Sequence, residues 1–204
     1  MDTFRYVMAL IVLMSLVPAV LLWFLIHPFG AFWRRLPPGI TYLILGVVTA
    51  LMMGGVYRAR GTLMVGDLGT SYATLALGLV AMGLGTLIAL QRRKHLTYRI
   101  LSGLPQVSAQ QYPGTLLTQG IYGRIRHPRY VEVTLWVLGY ALITNYLSMY
   151  LATLLTVPSL LLIVAMEERE LEERFGEEWR VYRDSVPRFI PKSIWTGAKR
   201  EKES

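Results

Sequence analysis

Two clusters of polar residues flank a long apolar stretch in the second half of the chain, and both hold side chains able to do chemistry. The first is Gly120-Ile121-Tyr122-Gly123-Arg124-Ile125-Arg126-His127-Pro128-Arg129-Tyr130. The second opens as Glu167-Glu168-Arg169-Glu170-Leu171, passes through Phe175-Gly176-Glu177-Glu178-Trp179, Tyr182 and Arg183, and closes as Val186-Pro187-Arg188-Phe189-Ile190-Pro191. Arginine and histidine suit a carboxylate, and glutamate suits an ammonium. Such groups either pair with each other or divide a zwitterion between them. Pro128 fixes its own backbone and steers His127 away from helical geometry, making a shaped elbow. Tyr122, Tyr130 and Tyr182 offer aromatic faces and hydroxyls. Each residue also has a plainer reading. Arg124, Arg126 and Arg129 suit anchors at a membrane surface, and Glu170 with Arg174 has the i, i+4 spacing of a solvated helix face.

The elements that must bring the clusters together are helices. The 204 residues are 53% hydrophobic, with a mean hydropathy of +0.41, more apolar than a soluble domain of this length. The apolar residues come in runs long enough to cross a bilayer. Phe4 to Ile26 holds one charge, Arg5; Ile40 to Tyr57 and Leu68 to Leu90 hold none; Val131 to Met166 holds only Glu132. The last run is too long for one crossing and must fold into two helices with a tight turn near Asn145 and Ser148. The expected fold is therefore all-α: a polytopic transmembrane helical bundle of about five spans. The first run could instead be read as a signal peptide, but it is too long for a typical apolar region of one and no small-residue cleavage site precedes His27-Pro28-Phe29, so a span is expected.

An antiparallel hairpin returns to the side it left, so the two clusters must meet at one membrane face. Arg34 and Arg35 follow the first run; Arg92, Arg93, Lys94, Arg99, Arg124, Arg126 and Arg129 follow the third; more basic residues follow the fifth. This positive-inside pattern predicts an outside N-terminus and a cytoplasmic C-terminus, with both clusters facing the cytoplasm. The net charge of +8 then reads as a topology signal and an attraction to anionic lipid headgroups, not as a nucleic-acid footprint. The chain has no cysteine, which excludes disulfides, thiolate metal sites and cysteine nucleophiles; no metal is expected. Residues 1–90 form a three-span N-terminal region, in which Gly46, Gly54, Gly55, Gly78, Gly83 and Gly85 suit close helix packing. Residues 91–204 hold a polar connector with Gly103, Pro105, Pro113 and Gly114, then the hairpin and the C-terminal segment. The tail from Lys192 to Ser204 is expected to be mobile.

The joint pattern resembles a known family. Gly120, Tyr122, Arg126, His127, Pro128 and Tyr130 match a Gly-x-Tyr-x-x-x-Arg-His-Pro-x-Tyr element. Glu167, Glu168, Leu171, Phe175, Gly176, Trp179 and Tyr182 match the downstream element, and Val186 to Pro191 match the closing one. The chain resembles isoprenylcysteine carboxyl methyltransferases and the related phospholipid methyltransferases. The resemblance implies an integral-membrane enzyme that uses S-adenosylmethionine, with residues 91–204 as the methyltransferase core. It implies a lipophilic acceptor that enters sideways from the bilayer: an isoprenylcysteine carboxylate, a phospholipid amine or a small lipophilic thiol. By position, His127, Pro128, Tyr130, Glu167 and Glu168 would hold the cofactor, with Tyr122, Tyr182 and Arg183 beside it. Arg126 and Glu168 would serve catalysis. Asn145 falls in the turn, across the membrane from the site, and reads as a turn residue.

Glu132 departs from the family pattern, which commonly has glycine there. A carboxylate at the start of a span is costly unless paired. A nearby arginine such as Arg129 is the expected partner; alternatively Glu132 shapes the acceptor site or acts as a base toward an amine, which makes it a third catalytic candidate, or it marks a lost or altered family activity. Two other classes compete. A sterol-type reductase would bind a nicotinamide cofactor, but such chains are longer. A non-enzymatic membrane protein of the transporter kind would place charges at mid-membrane, where these runs have almost none.

Overall fold

The computed structural model describes residues 2–26, 28–33, 35–94 and 115–191. The expectations for His27, Arg34, Arg99, Gly103, Pro105, Pro113, Gly114 and the tail from Lys192 fall outside the described residues. Among those described, the apolar runs form α1 (Asp2–Ile26), α3 (Pro38–Arg58) and α5 (Tyr72–Arg93), with two single-turn helices between them, α2 (Gly30–Trp33) and α4 (Arg60–Leu63). A 3₁₀ turn at Gly120–Gly123 precedes α6 (Pro128–Thr144), α7 (Leu147–Phe175) and α8 (Glu177–Ser185). The architecture is an all-α polytopic helical bundle. Its only strand-like feature among these residues is an isolated antiparallel bridge between Asp67 and Tyr146.

Four of these helices, α1, α3, α5 and α7, are long and apolar enough to cross a membrane. The expected five spans are thus four plus α6, which has 17 residues and reaches about 25 Å, short of a hydrocarbon core of about 30 Å. α6 is the most enclosed helix of the hairpin, with Val137, Gly139, Ala141 and Thr144 buried among its neighbours. Outward residues of the longer helices are leucines such as Leu43, Leu51, Leu77, Leu154 and Leu162, the surface expected against lipid tails. α7 has 29 residues, so its charged last turns project past its apolar run.

The third run was expected to begin at Leu68. The helix starts only at Tyr72, because Ser71 caps it by accepting from the Thr74 amide. Residues 65–69 instead pair with the hairpin turn. Leu68 N–H donates to the Asn145 carbonyl at 3.0 Å, and Leu147 N–H to the Gly66 carbonyl at 2.8 Å. Asn145 closes α6 in the left-handed conformation, φ 52°, where its short polar side chain is tolerated. It is a turn residue as expected, and its amide also donates to the Gly69 carbonyl at 2.9 Å.

The closest helix approach is between α5 and α6. A Cβ on Gly78 would sit 2.8 Å from the Gly139 carbonyl, and one on Gly85 would sit 2.7 Å from Trp136. The close-packing reading therefore holds for Gly78 and Gly85. It fails for Gly46, Gly54, Gly55 and Gly83, around which nothing lies within 4 Å.

Candidate active site at one end of the bundle

His127 and Pro128 start α6, with Pro128 at the first helical position, where its missing N–H costs nothing. Just before them the chain runs beside the C-terminal segment. Arg126 N–H donates to the Pro187 carbonyl at 2.9 Å, and His127 N–H to the Arg188 carbonyl at 3.0 Å. This two-rung pairing ties residues 187–188 across the start of α6 and delivers Arg188 to the cluster.

Glu168 is the centre of the site. It leaves α7 with a side chain only 9% exposed, and three basic side chains converge on it. The Arg126 guanidinium donates to Oε1 at 3.0 Å. The His127 Nε2 lies 3.0 Å from the same oxygen; a carboxylate accepts, so this nitrogen carries the proton. Arg188 donates through Nε to both oxygens at 3.1 Å and through Nη2 to Oε2. Burial of one carboxylate is thereby balanced by charge-assisted bonds.

Arg126 does more than pair. Its Nη1 donates to the carbonyls of Arg183, at 2.6 Å, and of Val186. Those groups end α8 and lack helical partners, so the guanidinium caps the helix at its negative end. Buried Trp179 lies under Arg126, 5.8 Å from guanidinium carbon to ring centre. The Tyr182 hydroxyl donates to the Tyr122 carbonyl at 2.7 Å. Burial pushes this phenol up to about 12, against the opposing pull of the Arg126 charge, so it stays a donor.

Beside this knot, the Tyr130 hydroxyl donates to Glu167 Oε2 at 2.7 Å, and His127 Nδ1 stands 3.7 Å from the same oxygen. The fold thus gathers Tyr122, Arg126, His127, Pro128, Tyr130, Glu167, Glu168 and Tyr182 at one end of the bundle. Arg183 joins only through its carbonyl; its guanidinium turns outward to Asp184 and Glu172. Glu132 lies on another face of α6, with Arg92 as its partner, Nε to Oε2 2.9 Å. The expected partner, Arg129, instead lies over the Trp23 ring at 5.0 Å. Residues 129 and 132 are three apart, so they lie about 60° from each other around α6; Glu132 turns to the Arg92 guanidinium on α5, and Arg129 to the Trp23 ring on α1.

Two residues at this end were missed. Arg188 stood inside the quoted Val186–Pro191 element, and its placement in a recurring Pro-Arg-Phe context was the available signal. Arg92 was counted only as a membrane-surface anchor, and no local spacing links it to Glu132.

A helical membrane bundle with an arginine–histidine–glutamate cluster at one end defines a class: multi-pass membrane proteins with a polar site at the edge of the bilayer. The chain matches the phospholipid methyltransferase family over residues 73–178, more than half its length, and it belongs to that family. It is similar to protein-S-isoprenylcysteine O-methyltransferase of Schizosaccharomyces pombe, with 27% identity over 159 residues. That match covers 73% of this chain and 65% of the relative, so the chain spans just under two thirds of the relative's length. No solved structure matches the chain.

Proposed function

We propose that this protein is an S-adenosylmethionine-dependent methyltransferase that modifies a lipophilic acceptor reaching the site from the bilayer. The observation that carries the reading is the distribution of exposure around Glu168. Glu168 is consumed by its three partners, while Arg188 is half exposed and Glu167 is 29% exposed. A guanidinium and a carboxylate thus stand open to a ligand on either side of a rigid, buried knot. That is the donor and acceptor set a zwitterionic amino-acid group requires, and the methionine portion of the cofactor is one.

When bound, the cofactor supplies a methyl group on a cationic sulfur. Arg188 would hold the cofactor's carboxylate and Glu167 its ammonium, with Glu167 oriented by Tyr130 and His127. Pro128 sets the elbow that aims His127. Tyr122 and Tyr182 shape the wall beside it. Arg126 and Glu168 lock α7, α8 and the C-terminal segment into one body. The chain's contribution to rate would be orientation and exclusion of water, with no covalent enzyme intermediate. The positive-inside pattern supports a site facing the cytoplasm, with the N-terminus outside. The partners on this reading are membrane lipids and an acceptor dissolved among them.

Calorimetry on the detergent-solubilised protein should detect S-adenosylmethionine binding, and labelled methyl should appear in lipid extracts. No binding at millimolar cofactor would overturn the reading.

A further inference from the structure

A second buried charge pair lies at the same end of the bundle, between α5 and α6. Arg92 Nε donates to Glu132 Oε2 at 2.9 Å and Nη2 to Oε1 at 3.3 Å. The side chains are 11% and 4% exposed. The 3₁₀ turn that carries Tyr122 packs against α5, which brings the Arg92 charge to bear on the Tyr122 hydroxyl. The Tyr122 carbonyl in turn accepts from the Tyr182 hydroxyl, within the site. Tyr122 therefore joins this pair to the site around His127 and Glu168.

Stability is a poor reason for such a pair. A buried ion pair is often no better than apolar residues of the same volume. α5 and α6 also already interlock through Gly78, Gly85 and Gly139. An ionisable pair at the edge of the apolar layer is better explained by what it admits.

We propose that Glu132 is a specificity-determining residue: by filling the fork of Arg92 it makes this wall of the site reject carboxylate acceptors and accept a lipophilic amine. The proposal rests on the methyltransferase reading. A carboxylate arriving beside Tyr122 meets an arginine whose fork Glu132 already fills, and gains no charge-assisted bond from it. An amine meets the Tyr122 hydroxyl and the carboxylate of Glu132, while Glu167 is left to the cofactor's ammonium. Removing the charge of Glu132 leaves a buried guanidinium without a counter-ion, and an incoming carboxylate then becomes the group that neutralises it. Discrimination arises here from a repulsive element as much as from an attractive one.

The test uses the full chain in nanodiscs of neutral lipid, with dodecylamine and dodecanoate as probes. The shift in melting temperature reports binding without cofactor. The wild type should be stabilised by dodecylamine and not by dodecanoate. Glu132→Gln keeps the shape and a hydrogen-bond acceptor for Arg92, and should reverse that order, moving the ratio of apparent affinities by about tenfold or more. The double variant Arg92→Gln/Glu132→Gln should lose the preference altogether, which separates a charge filter from local unfolding. An unchanged preference in Glu132→Gln would overturn the proposal. A parallel assay follows labelled methyl from S-adenosylmethionine into base-stable N-methyl and base-labile methyl-ester products. Label in lipid with a product ratio unaffected by Glu132→Gln sinks the filter and leaves the methyltransferase reading standing. No label from the wild type sinks that reading, while the probe shifts still decide the filter.

Discussion

At one end of the bundle a single carboxylate, Glu168, is surrounded by Arg126, His127 and Arg188. At the other end the ratio is inverted. A single buried guanidinium, Arg5, is bound by Asp67, by Asp2 at 3.5 Å, and by the carbonyls of Gly69 and of Thr144. The Tyr146 hydroxyl completes that second cluster by donating to Asp67 at 3.2 Å. The Arg5 cluster joins α1, the loop at residues 67–69 and the hairpin turn, and its cation is outnumbered by acceptors. It is a latch. The Glu168 cluster has basic groups in excess of its carboxylate, and one of them, Arg188, is half exposed. A surplus of charge held at an accessible edge is the condition for binding a ligand of the opposite sign. The same chemistry of arginine and carboxylate thus serves cohesion at one end and, on the proposed function, recognition at the other, according to which charge is in excess.

Four changes would break or sharpen that contrast. The largest effect is expected from Glu168→Ala, which strands three basic groups. Cofactor binding by calorimetry and methyl transfer should both fall by at least about 100-fold, because the groups that orient the ligand lose their common anchor. Retention of full turnover would remove Glu168 from the site. Next, Arg5→Met should cost about 1–3 kcal/mol in denaturant or thermal unfolding, because it strands the buried Thr144 carbonyl while Asp67 is partly exposed to water, and cofactor affinity should stay within about twofold of wild type. A loss of affinity as large as that of Glu168→Ala would mean that the two ends are coupled.

Arg188→Ala should weaken cofactor binding by about tenfold, as for loss of one charge-assisted contact, with little change in melting temperature. A collapse of stability instead would make Arg188 part of the knot and not a ligand group. The smallest effect concerns acid. The Gly69 amide, and then Arg5, hold the Asp67 carboxyl below its ordinary value of 3.8. A carboxyl lowered in the folded state adds stability above its unfolded value, and that stability is lost as pH falls through the folded value. The latch end should therefore loosen first at pH below about 4, read as hydrogen exchange at residues 66–69 and 145–147. Asp67→Asn should flatten that acid dependence.

Much of the bundle was legible from the order of residues. Long uncharged runs have no stable alternative in a bilayer to helices, so α1, α3, α5 and α7 follow from composition and length. The split of the fourth run at Asn145 was legible because one helix cannot be that long and remain in the membrane. The extent of α6 was not: its 17 residues suffice because neighbours cover it, and coverage is a property of packing. Glycine pattern was only half informative. Gly78 and Gly85 meet α6, while Gly54 and Gly55, equally small, face open space.

Clusters one and two had to meet once the hairpin existed, so the proximity of His127 and Tyr130 to Glu167 and Glu168 was determined by the sequence itself. Which guanidinium serves which carboxylate was decided only in three dimensions. Arg188 reaches Glu168 because two backbone hydrogen bonds, from Arg126 and His127, lay the C-terminal segment against the start of α6. Arg92 takes Glu132 from Arg129 because the rotation of α6 turns residue 132 toward α5 and residue 129 toward Trp23. Periodicity identifies a helix and its polarity. The pairing of charges depends on helix rotation and on distances of a few ångströms between segments far apart in the chain, and no local spacing encodes those.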